Sequence, residues 1–133
     1  MAAVVDITKD AQFYKDTDRK IRFRPWAELP TPTSDGIPVD ASTWQLEYLH
    51  AATRGAAPLF VKATGGSGII VAGAYNADPT LHTQYIEVTI ARADTKAITV
   101  AEGVHQLRRT DAGASDVLTI GKVVYLTPAH VIA

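Results

Sequence analysis

Four histidines, His50, His82, His105 and His130, carry the side chains best suited to acid–base or metal chemistry near neutral pH. Metal sites read from sequence rely on close ligand spacing, such as two histidines four residues apart on one helix face. None of the four stands at such a spacing, so they read as surface or hydrogen-bonded structural residues. Asp16 and Asp18, with Asp10 nearby, gather carboxylates. A calcium loop needs further oxygen ligands on a tight turn, and Asp16-Thr17-Asp18 lacks them, which leaves a solvated turn. Gly65-Gly66-Ser67-Gly68 has the composition of a phosphate loop, but strand-like Ile69-Ile70-Val71 follows where a helix start is required. The segment reads as a flexible hairpin loop. Ser67 also lacks the strand-to-helix setting of a nucleophile elbow. Cysteine is absent, which removes disulfides, thiolate ligands and cysteine nucleophiles together. The expectation is a protein that is not an enzyme and carries no cofactor and no metal.

Charged and aromatic residues are the next source of chemistry. Lys20, Arg22 and Arg24 alternate along one strand face, and Arg108-Arg109 adds positive charge. Nucleic-acid recognition needs a wider basic field with aromatics set for stacking. The chain has a net charge of −1, so a solvated or protein-contacting face is the simpler reading, and no nucleic acid is expected. Trp44 alternates with Leu46 and Tyr48 and so fits a core position. Trp26, beside Pro25 and ahead of a proline-rich loop, is the better choice for an exposed contact, although burial suits it at least as well.

The elements that must position these residues are strands. Side chains on a strand point alternately to its two faces, so alternation of apolar and polar residues marks one dry and one wet face. Lys20–Phe23 puts Phe23 inward. Thr43–Tyr48 puts Trp44, Leu46 and Tyr48 on one face and Gln45 and Glu47 on the other. Tyr85–Ile90 turns Ile86, Val88 and Ile90 inward and Glu87 and Thr89 outward. Val117–Leu126 is the longest strand expected and is largely apolar on both faces, which suits a central place in a sheet. Turn-forming clusters fall between these runs, at Leu29–Gly36, Arg54–Pro58, Gly65–Gly68 and Asp111–Ser115. Ala91–Ala101 offers one helical turn, with Asp94 or Thr95 as its cap. The 133 residues, 47% hydrophobic and 20% charged, fit one domain with one core. No apolar run approaches the roughly 20 residues of a membrane-spanning helix, so no membrane partner is expected. The first residues lack the pattern of a signal peptide, which predicts cytoplasmic synthesis. The turn spacing gives an all-β fold, a sandwich or a barrel. Residues 18–126 would form it, with 1–17 an N-terminal arm or first strand and 127–133 a tail.

From Pro38 onward the order of features is more specific than any one of them. Trp44-Gln45-Leu46-Glu47-Tyr48 is followed by Gly68-Ile69-Ile70, then Tyr85-Ile86-Glu87-Val88-Thr89-Ile90 and Ala93-Asp94-Thr95. Glu102-Gly103-Val104-His105, Thr110-Asp111 and Ile120-Gly121-Lys122-Val123-Val124 close the series. Over roughly residues 18–126 this order resembles the immunoglobulin-like domain of phage baseplate upper proteins and related small virion proteins of tailed phages. Gly103 would ease the start of a strand, Asp111 and Gly113 would make a hairpin turn, and Gly121 would mark a bulge or a close backbone approach. Val104 and His105 stand where that pattern has a tyrosine, and Tyr125 stands where it has a second valine. The resemblance implies an immunoglobulin-like antiparallel β-sandwich of about 7–9 strands. It also implies a virion structural protein of the head, neck or tail baseplate, made in the host cytoplasm and present as a homo-oligomer or in many copies. Its partners would be other virion proteins. The expected contact residues are Val4 and Ile7 in the arm, Arg22 and Arg24 on the basic face, Trp26, Pro30, Pro32 and Ile37 around the long loop, and Val131 and Ile132 in the tail. The alternative is a carbohydrate- or receptor-binding β-sandwich, which calls for exposed aromatics in a groove.

Overall fold

The computed structural model describes residues 4–5, 11–66, 68–111 and 116–127. The chain folds as an all-β sandwich around one core, as the alternation predicts. Its strands are β1 (Val4–Val5), β2 (Ala11–Tyr14), β3 (Arg19–Phe23), β4 (Pro25–Glu28), β5 (Ile37–Pro38), β6 (Leu46–Ala51), β7 (Pro58–Thr64), β8 (Gly68–Ala72), β9 (Tyr85–Ile90), β10 (Glu102–Arg109) and β11 (Asp116–Leu126). One short helix, α1 (Arg92–Lys96), supplies the single turn expected between β9 and β10. Asp94 secures it by accepting the Ala91 N–H through Oδ2 at 2.7 Å.

Eight strands form one sheet in the order β2-β11-β10-β6-β7-β8-β9-β3, and β1-β4-β5 form a small second sheet. The two ends of the large sheet, β2 and β3, are consecutive in sequence and joined by a turn in which Asp16 takes a positive φ of 58°. Such a connection requires the sheet to fold over on itself. Ring contacts show that it does. Phe23 on β3 and Tyr48 on β6 have centroids 5.8 Å apart, although β7, β8 and β9 lie between them in the ladder. In a flat sheet four strand spacings would separate them by about 19 Å.

The fold-over falls at β7 and β8. Only two residue pairs join these strands, Ala63 with Gly68 and Thr64 with Ile69, and they run parallel. This corrects the hairpin expected at Gly65–Gly68. Gly65, Gly66 and Gly68 all adopt positive φ, which lets the chain coil and continue in the same direction rather than reverse. β2 also runs parallel to β11, so the sheet is mixed and not antiparallel throughout. β11 is the longest strand, as expected, but it lies second from an edge, with β2 covering only Val123–Leu126. A bulge interrupts its pairing with β10 between Leu107 and Arg108, leaving Leu118 without an opposite residue. The bulge therefore sits at Leu118 and not at Gly121, which pairs with His105.

Phe23, Trp44, Leu46, Tyr48, Ile86, Val88 and Ile90 are buried on the faces the alternation assigns them. Glu87 does not follow the expectation. It points away from that core but is itself buried, because Arg22 across the ladder and Lys20 close over it at 3.0 and 3.7 Å. Phe13 of β2 is also in the core, so the segment before residue 18 is part of the sandwich.

Candidate functional site: a buried tyrosine–histidine chain

β6 continues its alternation past Tyr48 to His50, so both side chains enter the core that Leu46 opens. β10 pairs with β6 so that His105 lies directly opposite His50, on the same inner face. On the far side of β10, β11 brings Tyr125 to the same place. Its ring lies over Gly103, where a Cβ would sit 3.3 Å from Cε2 and only 2.6 Å from the Ala51 carbonyl oxygen. Gly103 therefore serves a close approach as well as the start of β10, and it admits the Tyr125 hydroxyl to the core.

The four side chains form one hydrogen-bonded chain. Tyr125 Oη lies 2.7 Å from His50 Nδ1, Tyr48 Oη 2.7 Å from His50 Nε2, and Tyr48 Oη 2.8 Å from His105 Nδ1. Both ring nitrogens of His50 are thus satisfied. Two proton arrangements fit. Tyr125 donates to His50, His50 to Tyr48 and Tyr48 to His105, or every donation runs the other way. In both, the His50 imidazole is neutral. His50 is completely buried, and burial, then His105, then the Arg19 charge push its pKa down from 6.5 to about 3. Burial pushes the Tyr48 hydroxyl well above its ordinary value and that of Tyr125 up to about 12. Phe13 meets His50 edge-on at 4.9 Å, and Phe60 lies 4.4 Å from it. With its pKa held this low, His50 stays neutral near neutral pH, and the four side chains act as one satisfied polar network within the core.

His82 forms a second, smaller cluster. Its Nδ1 accepts the Asn76 N–H at 3.2 Å, and its ring meets Trp26 and Tyr75, each at 5.6 Å. Because Nδ1 accepts, Nε2 carries the hydrogen of the neutral ring. That nitrogen and Trp26 Nε1 are buried without a hydrogen-bond partner. His82 is covered, but by a thin layer. Burial and Arg24 lower its pKa while Asp40 opposes them. His130 lies outside the described residues. His50, His82 and His105 are all buried rather than at the surface, and two of them are joined through Tyr48.

The other residues singled out from sequence fall in varied places. Asp16 and Asp18 are not a loosely solvated turn. The Asp16 carboxylate pairs with Arg92, and Asp18 accepts the Arg92 N–H at 2.6 Å, so the β2–β3 turn is fastened to α1. The Arg92 hydrogen bond holds Asp16 below its usual pKa. Trp26 is buried, which corrects its choice as an exposed contact: β4 lies between β1 and β5, and His82 covers the ring. Arg22, Arg24, Pro30, Pro32 and Ile37 are exposed. Arg22 is at the same time paired with Glu87 and stacked 4.3 Å above Tyr85. Val4 pairs with Trp26 in the small sheet. Ile7, Val131, Ile132 and Gly113 lie outside the described residues. Asp111 accepts the Gln45 N–H and pairs with Arg109, whose guanidinium stacks on Trp44.

The outer face of the same strands is different. Val61, Leu49, Gln106 and Ile120 occupy adjacent positions across β7, β6, β10 and β11. Leu49, Gln106 and Ile120, with Val104 and the Thr53–Ala56 loop, line a groove of about 360 Å³. Among the described residues, no three His, Asp or Glu side chains gather as metal ligands, and no helix is long and apolar enough to cross a membrane. Compared with known proteins, the chain matches no family model and no curated protein.

Proposed function

We propose that this chain is a virion structural module of a tailed phage, present in many copies and working by protein–protein contact. The order of motifs between Trp44 and Val124 supports the virion part. The outer face of β6, β7, β10 and β11 supports the contact part, and it carries the reading. Val61 and Val117 on that face are 43% and 52% exposed. Together with Leu49 and Ile120 they make an apolar centre, with the Glu47–Arg108 and Glu102–Lys122 ion pairs on the same strands. An apolar centre with charged surroundings is how association surfaces are built. Ile37, 49% exposed on β5, adds a contact on the small sheet.

The test is sedimentation over a wide concentration range for the full chain and for Val61→Lys and Val117→Lys. The expected result is association by the natural chain and none by the variants, with unchanged circular dichroism. Monomers at every concentration, together with absence of the chain from purified phage particles, would sink the reading. A second reading, glycan or receptor binding, is favoured by Tyr75, which is 42% exposed and rests on His82. A glycan array that loses its signal on Tyr75→Ala would move the assignment there.

A further inference from the structure

We propose that the Tyr125–His50–Tyr48 chain is an acid-sensitive latch, and that protonation of His50 lifts the edge strand β2 from β11 and exposes Phe13. The geometry gives a proton no comfortable place while the core is shut. Both nitrogens of His50 meet phenol oxygens, which can accept its hydrogens but carry no negative charge to offset an imidazolium. Each element packed against the ring can be named. β2 contributes Phe13, β7 Phe60, β6 Tyr48, β10 His105 and β11 Tyr125. β3 contributes the positive charge of Arg19, whose guanidinium carbon lies 4.3 Å above the Phe13 ring. None of these groups is a carboxylate, so a charged imidazole there is desolvated and repelled at once.

Relief comes most easily at β2. It is the edge strand, it pairs with β11 over four residues, and its Phe13 is the ring that covers His50 edge-on. Moving β6 or β10 instead would break pairings on both sides. The turn after β2 stays fastened, because Asp16 and Asp18 hold Arg92 and its backbone. The motion is therefore a hinge about residues 15–18. Lifting β2 admits water to His50 and bares the edge of β11 over Val123–Leu126, where a partner strand can pair. This inference does not depend on the virion reading.

Hydrogen exchange read by mass spectrometry on the full chain, corrected for the intrinsic pH effect, tests it. Peptides covering residues 11–15 are expected to open roughly 25-fold more at pH 5 than at pH 7, if His50 titrates normally once exposed. Amides of β6 and β10 should keep their protection over the same range. In His50→Gln, which offers both phenols an amide that does not titrate, and in His50→Phe, the increase should vanish. On the natural chain alone, the logarithm of the β2 opening constant should rise by about one unit per pH unit below pH 6. A flat dependence, simultaneous loss of protection in β2, β6 and β10, or an undiminished increase in either variant would overturn the latch.

Discussion

His50 and His82 are both covered imidazoles packed against aromatic rings, yet they are held in opposite ways. Around His50 each nitrogen meets a phenol oxygen at 2.7 Å, and the ring sits in the middle of the core. Around His82 one nitrogen is bonded, the other is not, and the neighbouring indole N–H is also without a partner. A buried donor left unpaired is costly, whereas a satisfied one is close to neutral. The difference teaches that the deep cluster depends on its polar atoms while the shallow one depends on the shape and apolar area of its rings.

Acid should separate the two clusters most. In the unfolded chain His50 takes up its proton near pH 6.5, in the fold only near pH 3. The unfolded state therefore binds more protons between those values. Stability is full above pH 6.5 and falls as pH drops toward 3, by about 4–5 kcal/mol for a core that stays shut and by no more than the cost of lifting β2 where that opening comes first. Urea titrations at several pH values should show this slope, and His50→Phe should flatten it. A slope that persists in that variant but disappears in His82→Phe would reverse the comparison. Next in size is Gly103→Val, expected to cost about 3–4 kcal/mol because its Cβ meets the Ala51 carbonyl and the Tyr125 ring. Tyr125→Phe leaves His50 Nδ1 unpaired and should cost about 1–2 kcal/mol in chemical denaturation. Trp26→Phe, which removes an N–H that has no partner, should change stability by less than about 1 kcal/mol despite deleting a larger ring from a buried site. Equal losses from Tyr125→Phe and Trp26→Phe would erase the distinction between the clusters.

The deep cluster was partly legible before the structure. Trp44, Leu46 and Tyr48 define an inward face, and the same step of two reaches His50; stepping back from Leu107 reaches His105. Those parities mark both histidines as inward. They do not reveal that the two meet, because a meeting depends on which strands are neighbours and in what register. Neither is local information. The 74–84 segment that carries His82 has no strand rhythm at its own position, and its packing on β4 completes the burial of Trp26.

By itself the sequence determined the all-β class, the inward faces of β3, β6 and β9, and the single helical turn at α1, since period-two alternation and turn chemistry are written into short windows of residues. Tertiary structure alone decided the parallel step at Gly65–Gly68, the bulge at Leu118, the burial of Glu87 beneath Arg22 and the joining of Tyr48, His50, His105 and Tyr125. Each of these follows from how strands pair and in what register, which the order of residues along any one strand does not encode.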